Sequence, residues 1–143
     1  MPRIRRTFDD LAYTGPTLNV RIGPPPGLQA VLRAAGQEVP FVNLLGMIDT
    51  GASGTLVKAT LIGPLGIEPY AMTSLRTAST TEPLIRGKYR VSVALTEAAA
   101  FEVDVVEGPL IGQNVQCLIG RDILEYVVFT YDGPNSRFSI TLK

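Results

Sequence analysis

An aspartate at the end of a nearly continuous apolar run is the residue of this chain best placed to do chemistry. The run extends from Val39 to Ile48 and leads directly into Asp49-Thr50-Gly51. A carboxylate, a hydroxyl and a glycine that permits close backbone approach make a compact set for acid–base work. The alternative is a structural turn in which the aspartate bonds nearby backbone N–H groups. For three residues taken alone, that turn is the more common outcome.

The residue types that the chain lacks narrow the possible mechanisms. It has no histidine and a single cysteine, Cys117. Triads that pass a proton through imidazole are therefore excluded within the chain, as are histidine-based zinc sites. One thiol can neither close an internal disulfide nor build a thiolate metal cage, and it fits a reducing compartment. Acid–base chemistry is left to carboxylates, lysine or tyrosine.

Length and composition indicate one folded domain without a global charge. The 143 residues are 45% hydrophobic, which is enough to build a core. Thirteen Lys and Arg balance thirteen Asp and Glu, so we expect neither nucleic acid nor a membrane as a partner. No secretory leader follows Arg3, Arg5 and Arg6, and no run approaches the roughly 18 apolar residues of a membrane span. We expect a cytoplasmic protein.

The hydrophobic pattern predicts a mainly β domain. Alternating or continuous apolar runs predict four single strands, which are Thr17–Ile22, Val39–Ile48, Phe101–Val106 and Val115–Ile119. Two hairpins are predicted, one from Ser74–Ala78 with Ile85–Leu95 and one from Val128–Tyr131 with Arg137–Leu142. Many short strands with frequent turn signals are typical of a barrel or a sandwich.

Two short helices and an N-terminal arm complete the predicted organisation. Apolar residues from Leu28 to Ala35 recur at helical spacing before Gly36, and a second helix begins near Asp122. Leu56–Leu61 fits either a strand or one helical turn. Residues 1–15 have no clear period, so we predict an arm of uncertain structure there and one domain over residues 16–143.

Two motifs together resemble the signatures of the retropepsin-like aspartic proteases, which are single-lobe enzymes of retroviral type. The apolar run and Asp49-Thr50-Gly51, continued by Ala-Ser, are similar to that family's active-site loop. Further along, Leu118–Leu124 (LIGRDIL) is similar to its second signature, an apolar pair and glycine followed by arginine and a short helix. The similarity covers roughly residues 38 to 131, and the Thr-Ala-Ser-Thr stretch and the Tyr-Asp-Gly-Pro turn also resemble those of bacterial and cellular single-lobe members.

This resemblance implies a closed acid-protease-type barrel with a single lobe, and peptide hydrolysis that needs no cofactor or metal. Two carboxylates must face one water, and the chain has one Asp-Thr-Gly, so a homodimer would supply the second. The family implies Asp49, Thr50 and Gly51 as the catalytic loop. Thr50 would bond across the dyad, and the Gly51 carbonyl would accept from the backbone of an extended polypeptide substrate.

The resemblance also implies substrate-binding residues. Ala52 would lie beside the dyad, and Met47 and Leu118 would line apolar subsites, although ordinary core packing is the safer interpretation for Met47. A flap-like hairpin would cover the cleft with Ser79 and Thr80 near its tip. The alternative for these two residues is a static polar turn.

Three more residues are implied to support the loop and the dimer, namely Ser53, Gly120 and Arg121. The family often places an aspartate four residues after the catalytic one, where this chain has Ser53. Arg121 therefore needs another acceptor, or else it is a surface charge at a helix end. Asp122 is expected to cap its helix rather than to pair with Asp49.

These expectations favour an aspartic endopeptidase that is active as a homodimer. A second interpretation is a catalytically silent dimerisation or peptide-binding module that kept the same fold. A third is a small β-barrel carrier of an apolar ligand, which would be monomeric and have a closed interior cavity. The intact Asp49-Thr50-Gly51 favours the enzyme.

Overall fold

The computed structural model describes residues 3–75, 82, 84–110 and 114–143. The predicted flap residues Ser79 and Thr80 lie outside these described residues. The described chain forms ten strands: β1 (Arg3–Thr7), β2 (Thr17–Gly23), β3 (Val42–Ile48), β4 (Thr55–Lys58), β5 (Ala71–Leu75), β6 (Leu84–Thr96), β7 (Ala99–Gly108), β8 (Cys117–Ile119), β9 (Val127–Asp132) and β10 (Arg137–Leu142). Its helices are α1 (Leu11–Thr14), α2 (Pro26–Ala34) and α3 (Arg121–Leu124).

Six of the strands close into a barrel. The hydrogen-bonded order β2-β3-β8-β4-β7-β6 returns to β2 through an antiparallel β2–β6 pairing. Strand β5 lies outside this ring and pairs with β6. The first arm of the predicted hairpin, Ser74–Ala78, shares only Ser74 and Leu75 with β5, and its other residues lie outside the described ranges. The prediction of a mainly β, closed, single-lobe barrel is confirmed, and the sandwich is not what forms.

The barrel interior is filled by the inward-facing residues of alternating strands. Because successive side chains of a strand point to opposite faces, every second residue enters the core. Residues buried to within 2% exposure include Val20, Ile22, Val57, Val91, Val93, Val105, Cys117 and Ile119. These strands therefore bury the apolar positions that their alternation marked in the sequence.

A second, three-stranded sheet joins the two ends of the chain in the order β1-β10-β9. The predicted C-terminal hairpin is its β9–β10 pair. Residues 3–7, part of the predicted arm, form β1 antiparallel to β10. Phe138 and Ile140 on β10 are fully buried, and the ring of Phe8 stacks on Phe138 with centroids 5.9 Å apart. The ends of the chain thus contribute buried residues to the same hydrophobic core as the barrel.

The helices are short, and two of them follow their sequence signals. α2 begins at a proline, which the first helical turn accepts because that N–H has no partner in a helix. Shortly after it, Gly36 has φ +72°, the left-handed conformation expected where a helix ends. Leu56–Leu61 forms both predicted alternatives in succession, since β4 is followed by a 3₁₀ turn over Ala59–Leu61. Among the described residues, no helix has the length and apolarity that crossing a membrane requires.

Candidate active site

Two parallel strands bring the two sequence motifs together. β3 runs beside β8 with Ile48 next to Ile119, so the loops that follow these strands leave the barrel at the same end. The Asp49 N–H donates to the Ile119 carbonyl at 2.9 Å. In return, the Arg121 N–H donates to the Ala52 carbonyl at 2.9 Å. The Asp-Thr-Gly loop and the Gly-Arg-Asp turn therefore form one hydrogen-bonded unit.

Gly120 permits the close approach of these two segments. A Cβ at this position would overlap the Gly54 carbonyl oxygen and would lie 3.1 Å from the Ala52 carbonyl oxygen. Both obstacles are backbone atoms, which cannot rotate away as a flexible side chain can. The backbone of Gly120 has an ordinary extended conformation, with φ −91°, that any residue can adopt. Glycine is therefore required here because a side chain has no room, and not because of the backbone conformation.

Asp49 is half-buried at the start of the loop. Its Oδ1 accepts the Gly51 N–H at 2.9 Å, so the turn that a bare tripeptide favours is present. Within the described ranges, no donor reaches its second oxygen, Oδ2. One carboxylate oxygen is therefore fixed to the backbone, and the other remains available to a water molecule or a substrate.

Thr55 and Asp122 form a polar link beneath the loop. Thr55, which is 1% exposed, donates from Oγ1 to Asp122 Oδ1 at 2.8 Å and from its N–H to Oδ2 at 3.1 Å. Thr55 Oγ1 in turn accepts the Gly120 N–H at 3.2 Å. A half-buried carboxylate that accepts several hydrogen bonds loses less free energy by burial than one without donors.

Asp122 therefore has a different role from the expected helix cap. The capping residue of α3 is Gly120, and Asp122 lies in the first turn, where it accepts the Ile123 N–H at 2.9 Å. Its other bonds go to Thr55 on β4 rather than along the helix. Thr55 was not singled out from the sequence, and its one signal is a hydroxyl directly before the apolar pair Leu56 and Val57.

The Arg121 side chain binds a backbone acceptor in the loop, in place of the carboxylate that the family often has at position 53. Its side chain is exposed, and Nη1 donates to the Thr50 carbonyl at 2.7 Å. A charge-assisted bond of this length to backbone is stronger than a neutral one. Arg121 thus holds the Asp-Thr-Gly loop through its main chain and is not a free surface charge at a helix end.

A cleft of about 1080 Å³ opens beside Asp49. Four other predicted residues line it with the aspartate: Gly51, Ala52, Ser53 and Leu118. Its remaining walls come from the β5–β6 hairpin, from β7 and from the end of α3. The cleft is open to solvent and is not a closed interior cavity.

Four predicted residues lie outside that lining. Met47 is half-buried and packs against Gly15, where an added Cβ would lie 2.9 Å from its Sδ. Thr50 is exposed at the tip of the loop, and Gly120 and Arg121 lie behind it. Within a single chain Met47 is neither in the hydrophobic core nor packed against it, and its place in a subsite stays a prediction.

The far wall of the cleft is charged. Arg90 on β6 pairs with Glu102 at 3.5 Å and with Asp104 at 3.2 Å, both on β7. The hydrogen bond to Asp104 raises the pKa of the Arg90 guanidinium. Lys88, two residues earlier on β6, lines the same cleft. Among the described residues, no three His, Cys, Asp or Glu side chains are grouped so that they could hold a metal ion.

Comparison with known proteins agrees with this geometry. A family model described as aspartyl protease matches residues 32–123, more than half of the chain and both loops of the site. No curated protein sequence matches the chain. The matched segment runs from α2 to α3 and contains most of the strands of the closed barrel. The chain therefore belongs to the aspartyl protease family, in its single-lobe, retropepsin-like form.

Proposed function

We propose that the protein is an aspartic endopeptidase that works as a homodimer, with Asp49 of each copy facing one water molecule. The observation that carries this proposal is the half-buried Asp49, whose Oδ2 is open toward a wide cleft, in a chain of the aspartyl protease family. The chain has a single Asp-Thr-Gly, while hydrolysis of this type uses two carboxylates. A two-fold axis beside the loop supplies the second one.

The two carboxylates act as acid and base. Like charges about 3 Å apart cannot both ionise, so the pair shares one proton, as in the aspartic proteases that illustrate this rule. The ionised Asp49 takes a proton from the water as it attacks the scissile carbonyl carbon. The protonated Asp49 of the partner subunit donates a hydrogen bond to the carbonyl oxygen. The proton taken from water is then available to the leaving nitrogen.

The hydrogen bonds around the loop prepare Asp49 for this task. The Gly51 N–H fixes Oδ1, and the Arg121 guanidinium fixes the Thr50 carbonyl. Hydrogen bonds made before the substrate arrives cost no reorganisation during the reaction. We assign Asp49 the catalytic role and Gly51, Thr50 and Arg121 the task of positioning it.

Edge strand β9 is the surface that we propose for the dimer. The three-stranded sheet has two edges: β1 carries Arg3, Arg5 and Arg6, while β9 is uncharged from Val127 to Tyr131. Charged edge strands resist pairing, whereas apolar β-branched and aromatic ones favour it. Antiparallel pairing of β9 with its copy has two-fold symmetry, and β9 follows α3 and the Arg121 contact to the loop.

The substrate that fits the cleft is an extended polypeptide with apolar side chains at the cleaved bond. Leu118 and Leu56 line the cleft on the side of the Asp49 loop, and they lie side by side on β8 and β4. Strand β5 at the rim offers its outer edge to a substrate backbone as one more strand. This mode of binding selects unfolded segments, because folded chains have already paired their backbone groups.

An activity assay with Asp49→Asn tests the proposed chemistry. Purified wild-type protein is expected to cleave an unstructured polypeptide such as reduced casein, and to do so best at mildly acidic pH. Asn keeps the shape of the side chain but cannot act as a base, so cleavage is lost while the circular dichroism spectrum is unchanged. Asp9→Asn makes the same change at an exposed aspartate outside the cleft and is expected to keep full activity.

Equal rates for wild type and Asp49→Asn eliminate the proposed mechanism. If neither protein cleaves but a statine-type transition-state mimic binds, the silent peptide-binding module is the better description. Monomeric protein with full activity rejects the shared dyad.

A further inference from the structure

A single row of side chains crosses the cleft from the loop side to the far wall. The strand registers place Leu118 beside Leu56, Leu56 beside Val106, and Val106 beside Lys88. Residues paired in this way point to the same face of the sheet. All four line the cleft, so its apolar floor ends at an ammonium group.

Lys88 is a cation whose charge is not neutralised within the cleft. Among the described residues, no carboxylate lies within salt-bridge distance of its side chain. The neighbouring cation on this face, Arg90, is already paired with Glu102 and Asp104. Lys88 is half-buried, so water screens it less than it screens a fully exposed lysine.

A second cation lies one step further along the same face of β6. Arg86 and Lys88 alternate with Gly87 and Tyr89, so the two cations share a face. The Nε of Arg86 is buried and has no hydrogen-bond partner among the residues that the structure describes. Glu107, on the neighbouring strand β7, is already engaged on the opposite face, where it accepts from the Gly87 N–H at 3.2 Å and from the Tyr89 hydroxyl at 3.4 Å.

The other carboxylates that line the cleft are those of Asp49, Asp122 and Glu125. Asp122 is held by Thr55 beneath the loop, and Glu125 belongs to the segment that follows α3. On the β6 side of the cleft, Glu102 and Asp104 are both engaged by Arg90, so among the described residues Lys88 is the cation of this side without an ion-pair partner. A ligand that satisfies the β6 side must bring its own carboxylate.

We propose that the cleft selects polypeptide segments in which a glutamate or aspartate side chain reaches Lys88, at a position beyond the apolar side chains next to the cleaved bond. This inference rests on the proposed function, because it describes the substrate of the same cleft. The carboxylate forms a charge-assisted hydrogen bond with the Lys88 ammonium, and the Arg86 guanidinium lies next along the strand. The selected residue lies away from the catalytic centre and affects binding rather than bond cleavage.

Matched peptides test the proposed preference. The probes are short fluorescent peptides with a Leu-Phe centre, in which one flanking position at a time is Glu, Gln or Lys. Their affinity is measured by fluorescence anisotropy with the Asp49→Asn protein, and their cleavage is measured with the wild-type protein. At one flanking position, Glu is expected to improve affinity over Gln by about 3- to 10-fold, because the ion pair is half-buried. Added salt reduces this ratio.

Substitutions that change the charge at Lys88 show whether this residue causes the preference for Glu over Gln peptides. Lys88→Gln brings the ratio of Glu to Gln affinity to about one, and Lys88→Glu shifts the preference to the Lys peptide. Lys58→Gln is the matched control, since Lys58 is an exposed lysine at the end of β4 and does not line the cleft. It is expected to retain the wild-type ratio.

The two readouts separate this inference from the proposed function. Cleavage without a Glu preference, or a preference that survives Lys88→Gln, overturns the acidic selectivity and leaves the protease intact. A Lys88-dependent Glu preference without any cleavage supports the selectivity and rejects the enzyme. Absence of both binding and cleavage overturns both proposals.

Discussion

At the residue scale, the site is held by contacts to the main chain more than by contacts between side chains. Arg121 donates to the Thr50 carbonyl, and the Gly51 N–H donates to Asp49. The link between Thr55 and Asp122 likewise includes backbone N–H groups of both segments. The position of Asp49 therefore depends mainly on where the Asp-Thr-Gly loop and the Gly-Arg-Asp turn leave the barrel. The side chains that matter are those of Arg121, Thr55 and Asp122.

The sequence was sufficient to find Asp49 and its neighbours but not their partners. An apolar run that ends in Asp-Thr-Gly is a local signal, because all of its residues are consecutive in the sequence. The bond between Thr55 and Asp122 joins residues far apart in the chain and depends on the register of β4 beside β8. The acceptor of Arg121 is a carbonyl oxygen, which every residue has, so no residue type marks it.

Cys117 gives a pH dependence that can be measured at the same scale. Burial, and secondarily the charge of Asp122, raises the pKa of the Cys117 thiol to about 12 from 9.0. Between these two values the unfolded chain loses a proton that the folded chain keeps, so stability is present below pH 9 and falls as pH rises. At pH 10 this single group lowers the free energy of unfolding by about 1.4 kcal/mol relative to pH 7.

Urea unfolding under reducing conditions at pH 7 and pH 10 checks this expectation. Tyrosines contribute a slope of their own, so the informative quantity is the difference between wild type and Cys117→Val, which lacks the thiol. From pH 7 to pH 10, the wild type is expected to lose about 1.4 kcal/mol more of its free energy of unfolding than Cys117→Val loses. An identical slope for both proteins shows that the folded protein releases the thiol proton as readily as the unfolded chain.

At the element scale, periodicity predicted the strands, whereas pairing determined what they build. The alternation in Thr17–Ile22 and Phe101–Val106 reappears in β2 and β7. By contrast, the five residues of β1 show no clear apolar period, because three of them are arginines. Their strand exists through pairing with β10 at the other end of the chain, which local sequence does not reveal.

Val128→Lys on β9 tests whether this edge forms the dimer. Val128 is 44% exposed, so the substitution costs the single chain little stability. In an antiparallel pair of β9 strands, each copy carries the added charge and the two lysines repel across the axis. Sedimentation velocity is expected to show a shift from dimer to monomer, with loss of peptide cleavage.

Val31→Lys is the control for this experiment. It makes the same change at a valine on α2 that is 63% exposed and lies far from β9 in the sequence. This variant is expected to sediment and to cleave like the wild type. A dimer that tolerates Val128→Lys rejects β9 as the interface and leaves the shared dyad to be built through another surface.

At the scale of the whole molecule, each chain carries one Asp-Thr-Gly, whereas the proposed mechanism uses two carboxylates. One copy has a complete barrel, an open cleft and one carboxylate in its Asp-Thr-Gly loop. The barrel closes within one chain, whereas the proposed reaction needs two. If the proposed dimer forms, a chain with a damaged loop but an intact interface is expected to inhibit its own wild type.

Mixing wild type with Asp49→Asn measures this dependence directly. If subunits exchange at random, half of the wild-type chains in an equal mixture belong to mixed dimers, which have one aspartate and cannot share a proton between two. Cleavage per wild-type chain is then expected to fall to about one half, and to about one tenth at ninefold excess of the variant. Asp49→Asn combined with Val128→Lys cannot enter a β9 dimer and is expected to leave the rate unchanged. Cleavage that stays constant per wild-type chain in the first mixture, under conditions where labelled subunits exchange, means that one chain suffices and that the second carboxylate comes from within it.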